Sequence, residues 1–180
     1  PLTIGFIAKD YVQSKSGLEY IGTNSQQIGD GGLIFQIREK VSQKLVTVSD
    51  ESWQMKVANT APINPDCAKS MNPDLECKYM NFPISKTWLN STFNDKTWTN
   101  SKIFTANEVG PKDGYFQINW QTSAKFIWGT DLKLDNIVYF RKKVIAPSAK
   151  VITSVMDFNV TSSKQGVLNV DTTCDGASKS

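Results

Sequence analysis

Hydrophobic residues along this chain recur at every second position, in short runs broken by glycine, proline, asparagine and aspartate. Leu33, Phe35 and Ile37 alternate with Ile34, Gln36 and Arg38, directly after a turn-forming Gly29-Asp30-Gly31-Gly32. Successive side chains of a strand point to opposite faces, so this spacing predicts a strand with one face on a core. Similar runs at residues 2–8, 44–48, 53–57, 102–105, 125–128, 137–144, 151–161 and 166–170 predict further strands. Between them lie turn-forming clusters such as Pro62-Ile63-Asn64-Pro65-Asp66 and Gly110-Pro111-Lys112-Asp113-Gly114. No segment holds an apolar repeat at helical spacing over the roughly 11 residues that a helix assignment needs. Many short strands with frequent turns predict an all-β sandwich or jelly roll.

A boundary is predicted near residues 145–148, where Pro147 interrupts the pattern. Residues 1–145 then form the β domain, and residues 146–180 a C-terminal extension with one or two strands and a polar end. Within 151–161, Ile152, Met156, Phe158 and Val160 share one row, interrupted by Ser154, and Asn159 lies opposite with Asp157 and Thr161. Asn159 is therefore predicted to face solvent. An isolated strand is marginal in water. The extension must either cover its own sheet or pair with an edge strand of another copy, and both remain open. The N-terminal segment, residues 1–31, is a second candidate assembly strand.

Composition narrows the classes. The 180 residues carry 20 basic and 17 acidic side chains, a net charge of +3, scattered along the length. The longest basic run, Arg141-Lys142-Lys143, ends an apolar strand. That is a solvated strand end rather than a nucleic-acid footprint, which needs clustered cations. No stretch approaches the roughly 18 apolar residues that span a bilayer, so membrane insertion is not expected. The sequence opens at Pro1 on a strand-like run, which fits a product from which a signal peptide has been removed.

The three cysteines bear on compartment. Cys67 and Cys77 flank a Pro- and Asn-containing segment with no reason to order by itself. A disulfide there would constrain the unfolded chain by roughly 2–3 kcal/mol; two independent buried thiols are the alternative. Cys174 is left unpaired, free to join a neighbouring molecule. The sequons at Asn90 and Asn159 agree with an extracellular home. The chain has no histidine, which excludes Ser-His-Asp and Cys-His catalysis. No carboxylate pair sits in a recognisable motif, so an enzyme is not expected.

Two segments together carry a resemblance. Phe93-Asn94-Asp95-Lys96-Thr97-Trp98 resembles the Phe-Asp-Asp-Ser-x-Trp turn of galactose-binding-like jelly rolls. Ala124-Lys125-Phe126-Ile127-Trp128, with the run Asp135-Asn136-Ile137-Val138-Tyr139-Phe140-Arg141 continuing to Val144, resembles their closing strands. The version is that of accessory domains on bacterial α-L-rhamnosidases and other glycoside hydrolases, and it covers about residues 33–144. The resemblance implies a galactose-binding-like β-sandwich without catalysis. It also implies a structural calcium ion near an N-terminal loop, for which Asp10 and Asp30 could supply oxygen ligands, although Asp30-Gly31 is equally ordinary turn chemistry. Trp98 and Trp128 are expected in the core. Trp88, Trp120 and Tyr115 lie in loop-like surroundings and are candidate sugar-stacking residues.

Two functions from different classes follow. One is a structural extracellular protein that assembles with itself into a filament by exchange of terminal strands. The other is a lectin-like module that binds glycans.

Overall fold

The computed structural model describes residues 2–112 and 114–145. The expectations for Asn159, Cys174 and the extension 146–180 lie outside the described residues. The described chain is mostly β, with antiparallel sheets and only single turns of helix.

Eleven strands follow in order: β1 (Leu2–Lys9), β2 (Leu18–Glu19), β3 (Gln27–Ile28), β4 (Gln36–Arg38), β5 (Leu45–Val48) and β6 (Gln54–Thr60), then β7 (Met80–Asn81), β8 (Thr99–Asn100), β9 (Lys102–Phe104), β10 (Phe126–Trp128) and β11 (Asp135–Val144). The large sheet runs β1-β11-β6-β7, with β8 also on β6. The alternating run at 33–37 is only partly a ladder. Leu33 bridges Ile127, and β4 begins at Gln36. Ser49 links the two parts: its hydroxyl donates to Lys125 O at 2.7 Å and accepts from Phe35 N at 3.0 Å.

The core lies on one face of the large sheet. Met55, Val138 and Phe140 meet Phe104, Phe126, Ile127 and Trp128 of β9 and β10, with Trp53 buried among them. Phe6 reaches the same cluster and packs on Phe35 and Trp53, with centroids 4.6 and 5.4 Å away. Buried indoles need a partner for their N–H. Trp53 Nε1 donates to Val48 O and Trp128 Nε1 to Asp135 O, at 2.8 and 2.7 Å.

The other face of β1 and β11 is covered by the loop 83–98. Trp88 stacks on Trp98 at 6.1 Å and meets Tyr139 edge-on at 5.0 Å. Gly5 lies under this loop because a Cβ there would fall 2.5 Å from the Trp88 ring. Within the loop the turn motif is structural: Asn94 Oδ1 accepts from Lys96 N, Asp95 O accepts from Trp98 N, and Phe93 packs edge-on against Trp98. The Asp95 carboxylate accepts from Arg141, whose side chain is buried and also donates to Asn90 O.

Within the N-terminal segment 1–31, the candidate assembly strand, residues 2–9 form β1 and pair with β11 from Leu2↔Val144 to Lys9↔Ile137.

Candidate functional site

Four chain segments meet beyond the end of β1. Asp10 follows β1 and is held by its own N–H donating to Asn136 O at 2.8 Å. Glu19 ends β2, and Asp30 follows β3 in the glycine turn. Asn136 belongs to β11, where the register steps from Asp135↔Thr60 to Ile137↔Asn59. Asn136 is thus the extra residue of a bulge, a feature that re-aims side chains.

One carboxylate oxygen each from Asp10, Glu19 and Asp30 lies within 4.8 Å of the others. Asp10 Oδ2 accepts from Asp30 N at 3.0 Å, and Gln27 Nε2 donates to Glu19 Oε2 at 3.0 Å and Asp30 Oδ2 at 3.3 Å. Two of the buried oxygens that lack a hydrogen bond among the described residues belong to this group: Oε1 of Glu19, 3% exposed, and Oδ1 of Asn136, 1% exposed. A buried acceptor without a donor is costly.

Gly29 marks where the oxygens converge. A Cβ there would lie 2.2 Å from Asp10 Oδ2, 3.0 Å from Lys133 O and 3.3 Å from Asn136 Oδ1. Only a residue without a side chain leaves that space to the oxygens.

The electrostatics follow. Burial, then the charges of Asp30 and Glu19, push the Asp10 carboxyl up from 3.8 to about 7, against the opposing backbone hydrogen bonds. Burial and Asp30 raise Glu19 as well, opposed by the Gln27 hydrogen bond and the Lys112 charge. Hard oxygens, several carboxylates and a backbone carbonyl are the donor set that calcium takes. As an acid–base pair the same group is poorly placed. Asp10 Oδ2 already accepts from Asp30 N, and the three carboxylates have oxygens within 4.8 Å of one another, closer than the ~5–9 Å that glycosidase carboxyls keep around a sugar bond.

Sequence reasoning singled out Asp10 and Asp30, and the structure brings them together. It missed Glu19, which stands in no motif, and it read Asn136 only as part of a fold signature. Asp135, beside it, is structural: its buried carboxylate accepts from Thr60, Thr130 and Asp131.

The sugar-stacking candidates separate. Trp88 is corrected to a buried residue, 9% exposed between the sheet and Trp98. Trp120 and Tyr115 are half-buried and stacked on each other at 6.0 Å, with Trp120 Nε1 donating to Tyr115 O. They scaffold their own loop and leave Phe116, 80% exposed, as its outermost ring. Cys67 and Cys77 are bonded, with Cα atoms 5.2 Å apart. They pack with Leu18, the residue before Glu19 in β2. Asn90 is exposed. No helix among the described residues is long and apolar enough to cross a membrane.

Comparison with known proteins finds no family model, curated protein or solved structure that matches the chain.

Proposed function

We propose that this chain is a non-catalytic extracellular recognition module, a galactose-binding-like jelly-roll sandwich fastened at its loop end by calcium and binding glycans. One observation carries the reading: Asp10, Glu19 and Asp30 converge with the unpartnered Asn136 Oδ1 around the space Gly29 leaves open. Asp10, Glu19, Asp30, Asn136 and the Lys133 carbonyl would hold the ion. Its charge would offset the repulsion among the carboxylates and tie β1, β2, β3 and β11 at one point. The Cys67–Cys77 disulfide fits an oxidising compartment.

Calorimetric titration of the full chain with calcium, followed by glycan binding with calcium and with chelator, tests the reading. Stoichiometric calcium binding and binding to at least one glycan class are expected. A chain that takes up no calcium, or binds no glycan in its presence, overturns the corresponding half.

A second reading, self-assembly into a filament, draws on the position of β1. It ends the large sheet, and among the described residues no strand pairs with its other edge. An eight-residue edge can accept a strand from another copy. A monomer at high concentration under oxidising conditions would end that reading.

A further inference from the structure

Asn136 has two sides. Its Oδ1 faces the carboxylates, and the residue also borders a cleft on the outer face of the large sheet. The cleft encloses about 400 Å³, and no residue of the covering loop lines it. Its apolar ground is Val12 and Ile137, and no carboxylate lines it.

Three carboxamides stand around that ground. The β6–β7 register sets Asn59 opposite Asn81, and Asn59 Nδ2 donates to Asn81 Oδ1 at 2.8 Å. The Asn136 bulge brings its Nδ2 to Ala61 O at 2.9 Å, with Asn59 Oδ1 at 3.4 Å. Asn81, which is exposed, keeps its Nδ2 without a hydrogen bond among the described residues. On the rim is Tyr79, 41% exposed, with Lys15 Nζ resting over its ring, 5.7 Å from the centre. Tyr79 is delivered by the disulfide-closed segment, whose ends are tied by Ile63 N–H donating to Lys78 O and Lys78 N–H to Asn64 Oδ1.

Each element has a chemical counterpart. A carboxamide both donates and accepts, as a hydroxyl does. An aromatic ring beside apolar ground takes the C–H face of a pyranose. The Lys15 ammonium, in a cleft that no carboxylate lines, favours an anion. The geometry points to this cleft as the binding site for a sugar unit bearing an acid group. Its hydroxyls meet Asn81 and Asn59, its acid group draws Lys15 off the Tyr79 ring into an ion pair, and its C–H face takes the ring that Lys15 leaves. The inference rests on the glycan-binding reading and names the place and ligand class for it.

The test is titration of the full chain, with calcium present, against an oligogalacturonate, a sulfated galactan oligosaccharide and a neutral galactan oligosaccharide. At least one acidic ligand is expected to bind about tenfold more tightly than the neutral one. Which of the two acidic ligands does so identifies the group as carboxylate or sulfate. Tyr79→Ala and Asn81→Ala are each expected to weaken binding by about tenfold, and Lys15→Met to abolish the preference for acid, with thermal midpoints unchanged. Equal affinity for the neutral ligand overturns the acid assignment. Glycan binding undiminished in Tyr79→Ala and Asn81→Ala overturns the cleft and leaves the glycan reading standing. Failure to bind any glycan overturns both.

Discussion

Asp10→Asn separates the cost of the carboxylate cluster from its use. The Asp10 carboxyl rises from 3.8 to about 7, first through burial and then through Asp30 and Glu19. A folded acid with a raised pKa binds its proton more tightly than the unfolded chain does, so metal-free stability falls as pH climbs from about 4 to about 7. At about 1.4 kcal/mol per pH unit, that rise corresponds to on the order of 4 kcal/mol for holding Asp10 ionised above pH 7. Asp10 is partly open to solvent, and screening brings the expected figure to ~1–2 kcal/mol. Asparagine keeps an oxygen for the Asp30 N–H and removes the charge. In chelator at about pH 7.5, Asp10→Asn should therefore melt higher than the native chain by ~3–6 °C, at ~3 °C per kcal/mol for a domain of this size. The gap should close towards about pH 4, where Asp10 is protonated. Calcium should invert the order, because an ion at 100 times its Kd adds ~2.7 kcal/mol to the chain that binds it. Thermal unfolding followed by circular dichroism, across pH with and without calcium, measures all three effects. A variant less stable than the native chain at every pH in chelator would refute the electrostatic argument.

Gly29→Ala should lower calcium affinity sharply in calorimetry, because the added methyl would occupy space 2.2 Å from Asp10 Oδ2. Replacing both Cys67 and Cys77 by serine should cost about 3 kcal/mol in urea unfolding, the loop-closure entropy of a short bridge. Because the bridge packs on Leu18, calcium affinity should fall with it. Asp95→Ala leaves the buried Arg141 guanidinium without its carboxylate, and should cost ~3 kcal/mol or more in the same assay. Asp95→Asn, which still accepts a hydrogen bond, should cost less.

Much of the strand order was legible because a strand writes its faces into the sequence at a period of two. Residues 2–8, 44–48, 53–57, 102–105, 125–128 and 137–144 overlap β1, β5, β6, β9, β10 and β11. The two-residue strands β2, β3, β7 and β8 were not legible, since two positions show no period. Their pairing is imposed by what flanks them, as Leu18 on the disulfide holds β2 against β3. Trp88 was misplaced for a related reason: loop-like surroundings do not tell whether a loop lies over water or over a sheet. Gly5 under its ring decides that, and nothing in residues 83–98 announces Gly5.

The all-β class and the Cys67–Cys77 bridge were therefore present in the order of residue types, because alternation and close spacing are local. The site was not. Asp10 and Asp30 are unremarkable acids in sequence, and Glu19 and Asn136 carry no local mark of a role. They become a set of converging oxygens only when β11 returns beside β1, a bulge turns Asn136 aside, and Gly29 leaves the centre empty. Tertiary structure decides such a site because its energy lies in distances between charges far apart in sequence, and no local period encodes those distances.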